Sequence, residues 1–158
     1  MSRAAELAGA RLDEVHELKL GETDLAFLGQ FDAIVCNDVL EHLYDPWKVL
    51  ADVRPLLRPN GCVVASIPNI RYYPVFSELI VDADWHYKED GVMDWTHIRF
   101  FTRKSLCRLF ESSGYRITRL EGLNATSFGF KWNLINKLTR GRLDDTRYRQ
   151  FACVASPA

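Results

Sequence analysis

Two almost wholly apolar runs set the frame of this chain: Phe31–Cys36 and Cys62–Ile67, the second stopped by Pro68. Runs of this kind suit parallel strands covered on both faces. Between them the pattern changes to a helical one. Asp45 is placed to cap a helix, and Pro46 has its ring pre-set for the first turn. Trp47, Val49, Leu50, Val53 and Leu56–Leu57 supply an apolar stripe, and Pro59-Asn60-Gly61 closes the segment. The three pieces make a strand–helix–strand unit with parallel strands.

Weaker patterns flank this unit. Ser2 to about Arg11 favours a short helix with Ser2 as its cap. Glu14–Leu20 alternates polar and apolar positions and predicts a short strand, and Gly21–Gln30 reads as a loop. Downstream, Tyr72–Val81 predicts a helix. Residues 82–101 are aromatic and polar without a period, as in a functional loop or lid. Thr102 caps a helix to about Ser113, which Gly114 stops. Tyr115–Leu123 and Arg149–Ala155 read as strands, with an irregular insertion over about 124–145 that holds a helix near Trp132–Leu138. Two late strands without a crossover helix predict an antiparallel pair at one sheet edge. The fold class expected is α/β, one domain over 1–158.

A chain of 158 residues with 47% hydrophobic and 26% charged residues has the balance of a soluble globular domain. Its formal charge of -1 argues against a nucleic-acid partner, whose footprint would be basic. No run of eighteen apolar residues predicts stable membrane insertion, and MSRAAELAGARLDEV lacks the apolar core of a secretory signal. Cys36, Cys62, Cys107 and Cys153 form no CxxC pair. They read as reduced, buried thiols of a cytoplasmic protein.

In open α/β sheets ligands bind beyond the carboxyl ends of the parallel strands. Cys36-Asn37-Asp38 and Pro68-Asn69-Ile70 are two such ends. Glu41-His42 follows the first, and a histidine there has the pKa of a general base, about 6.5 unperturbed. The competing role for His42 is to fix its loop by backbone hydrogen bonds. Glu41 and His42 are also two adjacent metal-ligand types, but without a third no metal site is expected. Trp85-His86-Tyr87 and the stretch from Asp94 through Thr96, His97, Arg99 and Phe100 to Phe101 suit recognition or catalysis. The alternative is a packed lid with Arg99 paired to Asp94. In the insertion, Phe128, Phe130, Trp132, Leu134, Ile135 and Leu138 interleave with Lys131, Lys137, Arg140 and Arg142. A cap helix packed on the domain is expected there, with contact to a membrane or a lipid-linked substrate as the alternative.

Four ordered words, FDAIVCNDVLEHLYDPWKVL, LRPNGCVVASIPN, GVMDWTHIRFFTRKSL and FESSGYRI, resemble the class I S-adenosylmethionine-dependent methyltransferases. The branch they are similar to carries DVLEHL, SIPN and DxTHxRFFT words, often beside genes for surface glycans. The resemblance covers roughly Arg3 to Tyr115. It implies a Rossmann-like, mostly parallel sheet with a C-terminal antiparallel hairpin. It also implies S-adenosylmethionine as cofactor, with Asn37, Asp38 and Val39 along the cofactor edge. His42 and His97 become the catalytic bases, and Glu41, Asn69, Trp85, Thr96, Arg99 and Phe100 the substrate side. The acceptor implied is a small molecule or a glycan-type hydroxyl. The family's first strand, its GxGxG turn and the acidic end of its second strand have no counterpart. The chain is therefore expected to be the carboxyl-terminal portion of such a domain, inactive if that part is missing. A non-catalytic remnant and a glycan- or lipid-recognition module are the alternatives. Without the family's first strand, residues 31–36 form an open apolar edge, which predicts a homodimer or a swapped arrangement through that strand, or else a chain unstable alone.

Overall fold

The computed structural model describes residues 2–158. In chain order the elements are α1 (Arg3–Gly9), β1 (Phe31–Asn37), α2 (Pro46–Val53), β2 (Leu57–Pro68), α3 (Tyr73–Ser77), α4 (Arg103–Ser112), β3 (Tyr115–Ala125), α5 (Phe130–Leu138) and β4 (Tyr148–Pro157). The local signals hold where they rest on caps. Ser2 Oγ accepts from the Ala5 N–H at 3.2 Å, and Asp45 Oδ1 accepts from the Lys48 N–H at 2.9 Å. Thr102 and Ser105 form a reciprocal capping box at the start of α4.

The four strands lie in the order β1-β2-β4-β3. β1 and β2 are parallel, with Ile34 opposite Val63 and Val35 opposite Val64. β4 runs antiparallel to both β2 and β3. The sheet is thus mixed, with β1 and β2 as its parallel pair and β3 and β4 as the expected C-terminal antiparallel hairpin. The reason is connectivity. α2 and α4 return the chain so that β1, β2 and β3 all run the same way, and β4 enters between β2 and β3 in the opposite direction. α2 and α4 pack on the sheet, and Leu50, Val63, Ala65, Ile67, Leu109, Phe110 and Tyr115 close the core between them. The Tyr115 hydroxyl donates to the Leu50 carbonyl at 2.8 Å, tying β3 to α2.

Three expectations need correction. Glu14–Leu20 is not a strand. No neighbouring strand offers it a ladder, so His16 bonds locally to Glu14 while Leu18 packs beside Val49 and Val53. β1 is not covered on both faces. Cys36 is its one buried residue, and Val35 is 61% exposed, because β1 is an edge strand with nothing on its outer face. Pro59-Asn60-Gly61 does not precede the second strand but lies inside it. Phe31 faces Leu57 and Ala33 faces Cys62, so the extra residues bulge out, with Asn60 at φ +70°.

Candidate functional site

The carboxyl ends of β1 and β2 meet where the sequence places them. Asp38, just past β1, holds φ +51° and donates its N–H to the Ser66 carbonyl of β2 at 3.0 Å. Its Oδ1 accepts from Gln150 Nε2 of β4 at 2.7 Å. The chain then tightens into a single 3-10 turn, Leu40–His42. Leu40 is drawn fully into the core, and this rotates Glu41 inward too, leaving it 1% exposed.

The lid binds this turn through its backbone. The Glu41 carbonyl accepts from the Ile98 N–H at 3.1 Å and from the Arg99 N–H at 2.9 Å. Those bonds bring His97, itself buried, against Glu41, with Nε2 3.9 Å from Oε1. The His42 and His97 rings meet edge to face at 4.7 Å. His97 Nδ1 lies 3.1 Å from the Val92 carbonyl, an atom that only accepts. In the neutral ring the proton therefore sits on Nδ1, which leaves the Nε2 lone pair on the Glu41 side. His42 is oriented the same way. Its Nδ1 faces the Thr96 carbonyl at 3.2 Å, and the Thr96 hydroxyl spends its own proton on Asp94 Oδ1 at 2.6 Å.

Electrostatics follow from this burial. Both Glu41 carboxylate oxygens are buried and have no hydrogen-bond partner in the protein. Burial pushes the Glu41 carboxyl up to about 7, and nearby Asp38 pushes the same way, against the pull of its own backbone N–H, too misaligned for a hydrogen bond, and of His42. Asp94 moves oppositely. The Thr96 hydroxyl and then its N–H hold its carboxyl below the usual range. One donor atom from each of Glu41, His42 and His97 lies within 4.8 Å of the others. One carboxylate and two imidazoles are O,N,N donor types that could hold a metal ion. The expectation of no metal site thus loses its premise, because the lid supplies the third ligand that the sequence could not place.

The remaining candidates divide. Asp38, His42, Asp94, His97, Asn124 and Gln150 share a polar cavity of about 300 Å³. Arg99 and Phe100 line a separate depression with Trp47, Ser105 and Arg108. Arg99 is not paired with Asp94. It donates from Nε and Nη2 to the Tyr44 carbonyl and lies over the Trp47 ring at 5.8 Å. Trp85 packs edge to face on Phe100 at 5.2 Å and does not line the cavity of the histidines. Asn69 needs correction as a substrate contact. It is fully buried, its Nδ2 donates to the Asp145 and Tyr148 carbonyls, both at 2.9 Å, and its Oδ1 accepts from the Arg71 N–H. No polar atom is left for a ligand; Asn69 pins the insertion to the end of β2. Asn37 is exposed and Val39 is half-buried against the core, both at the same strand end. Asn124 and Gln150 were missed, because only the pairing of β4 with β2 brings them there.

Comparison with known proteins shows the family and the fold. Residues 4–120 match the methyltransferase-domain family. The chain belongs to that family. A ubiquinone biosynthesis O-methyltransferase of Dinoroseobacter shibae is 30% identical over 135 residues, 84% of this chain and 52% of that protein. A second, from Cereibacter sphaeroides, is 32% identical over 117 residues, 72% of this chain and 46% of the relative. The chain spans about half the length of these curated relatives. Among solved structures, a possible histamine N-methyltransferase of Thermotoga maritima superposes with a TM-score of 0.65 at 14% identity, covering 99% of this chain and 70% of the other. The fold is that of the S-adenosylmethionine-dependent methyltransferases.

Proposed function

We propose that this chain carries the acceptor side of an S-adenosylmethionine-dependent O-methyltransferase acting on a small molecule. The observation that carries this reading is the Glu41–His42–His97 cluster at the carboxyl ends of the two parallel strands. The family membership supports methyl transfer, and the O-methyltransferase names of the relatives support oxygen as the acceptor atom. Asn37, Asp38 and Val39 would meet the cofactor, and the polar cavity beside them would take the acceptor.

The cofactor supplies an activated methyl on a positively charged sulfur. The protein's task is then alignment, plus removal of one proton from the attacking hydroxyl. When bound, the cofactor would supply the methyl for a new C–O bond with its sulfur as leaving group, and the acceptor hydroxyl would give its proton to an imidazole Nε2. His97 and His42 both present that atom bare, since their Nδ1 protons face carbonyl oxygens. The test is transfer of labelled methyl from S-adenosylmethionine to a low-mass phenol or catechol. Label should reach the oxygen, and His97→Ala or His42→Ala should cut kcat by about 10²–10⁴-fold. Label on nitrogen, or equal rates in both variants and wild type, would defeat the assignment.

A second reading of the same cluster is favoured by the unpartnered Glu41 oxygens. A divalent cation held by Glu41, His42 and His97 would satisfy both the buried carboxylate and the two bare nitrogens, and would supply Lewis acidity toward the acceptor oxygen. Calorimetric titration with Mg²⁺, Mn²⁺ and Zn²⁺ distinguishes the two. Binding lost in Glu41→Gln supports the cation; absence of binding leaves the histidines as bases alone.

A further inference from the structure

Helix α5 was expected to pack its apolar side on the domain, and it does the reverse. It is held to the fold by Trp132 and Asn136. Trp132 stacks against Tyr73 of α3 at 4.4 Å and donates from Nε1 to Thr146 at 3.3 Å. Asn136 donates to Asp144 Oδ1 at 2.7 Å and accepts from the Leu143 N–H. At 100° per residue these two positions define the inner side. Phe130, Leu134 and Leu138 stand four residues apart on a stripe turned away from it, with Ile135 at its margin. All four are exposed, Phe130 by 83% and Leu138 by 75%.

The charge around this stripe is one-sided. Residues 126–142 contain Lys131, Lys137, Arg140 and Arg142 and no acidic residue. With the whole chain at -1 and this segment at +4, the rest carries -5. All four cations are exposed, and none forms an ion pair among the described residues. A nine-residue helix is only about 13 Å long, too small by itself for a stable protein interface, which needs about 1,000 Å² in total. It suits a surface that is apolar just below a layer of anions.

We propose that α5 with its following basic turn docks this protein onto the surface of an anionic lipid bilayer. The apolar stripe lies at the headgroup–acyl boundary, and Lys131, Lys137, Arg140 and Arg142 meet lipid phosphates. The inference rests on α5 alone and stands whether or not the methyl-transfer reading does.

The test is flotation of the full chain with vesicles of phosphatidylcholine, with and without phosphatidylglycerol. Binding should require the anionic lipid and weaken as salt rises. Phe130→Ala/Leu134→Ala/Leu138→Ala should abolish it, and Lys137→Gln/Arg140→Gln should lower partitioning by roughly five-fold per charge removed. Every altered side chain is exposed, so circular dichroism should show both variants folded. No flotation of the wild type, or flotation indifferent to both variants, overturns the proposal. So does self-association by light scattering that the triple alanine variant removes, since that would make the stripe a protein interface.

Discussion

Glu41 is the residue on which the site's energetics turn. Its carboxyl is shifted up from about 4.5 to about 7 because the core withholds solvent from the ionised form. A raised carboxyl pKa stabilises the fold only while the group stays protonated. In cation-free protein that stability is fully present below about pH 4.5 and is lost as pH rises to about 7. The loss is on the order of 3 kcal/mol. Glu41→Gln should escape it, so chemical denaturation should find the variant the more stable protein above pH 7 and nearly equal to wild type at pH 4.5. Other carboxylates titrate in both proteins and cancel in the difference. Parallel curves would show that Glu41 is solvated or paired. Asn69 makes the opposite point. Asn69→Ala orphans two buried carbonyls and should cost about 2–4 kcal/mol, seen as a melting temperature lower by roughly 5–15 °C. A substrate contact would leave melting unchanged.

Among the elements, α4 and the β3–β4 pair show how closely local chemistry and packing are matched. The Thr102–Ser105 capping box satisfies donors at the N-terminus of α4, and Thr102→Ala should cost about 1 kcal/mol in urea denaturation. Gly122 of β3 is required for another reason. A Cβ there would lie 2.2 Å from the Tyr148 ring of β4. Gly122→Ala must therefore displace that ring or open the strand pair, costing about 1–3 kcal/mol and raising hydrogen exchange along β3 first. A variant that melts like wild type would mean the ring swings aside freely. The cap was legible in the sequence, since it depends on residues three apart. The glycine's role was not, because Tyr148 is far along the chain and only the β3–β4 pairing, with Phe151 opposite Gly122 and Tyr148 opposite Ala125, lays its ring over the glycine.

At the scale of the molecule, the sheet ends on one side with β1, an edge that is apolar and open. Phe31 and Val35 are exposed there, and the outer ladder groups of the strand have no partner among the described residues. Such an edge templates pairing with another chain. The chain should therefore self-associate in a concentration-dependent way, and Val35→Lys should shift light scattering toward monomer. A wild-type monomer at high concentration would show that this edge is adequately protected. Among the described residues no helix is long and apolar enough to cross a membrane.

The sequence by itself determined the strand–helix–strand unit, the caps at Ser2, Asp45 and Thr102, and the juxtaposition of Asp38 with the end of the second strand. Each depends on residues close along the chain or on two apolar runs that must be buried together. Tertiary structure alone decided three things. Insertion of β4 beside β2 made the sheet mixed and brought Gln150 to Asp38. The lid's backbone bonds to Glu41 completed a three-residue cluster of which the sequence displayed only two adjacent members. The anchoring of Trp132 and Asn136 turned the apolar stripe of α5 outward, although its periodicity read equally well as a face turned in. Periodicity fixes which residues share a side of an element; only the neighbours that pack against it fix which way that side points.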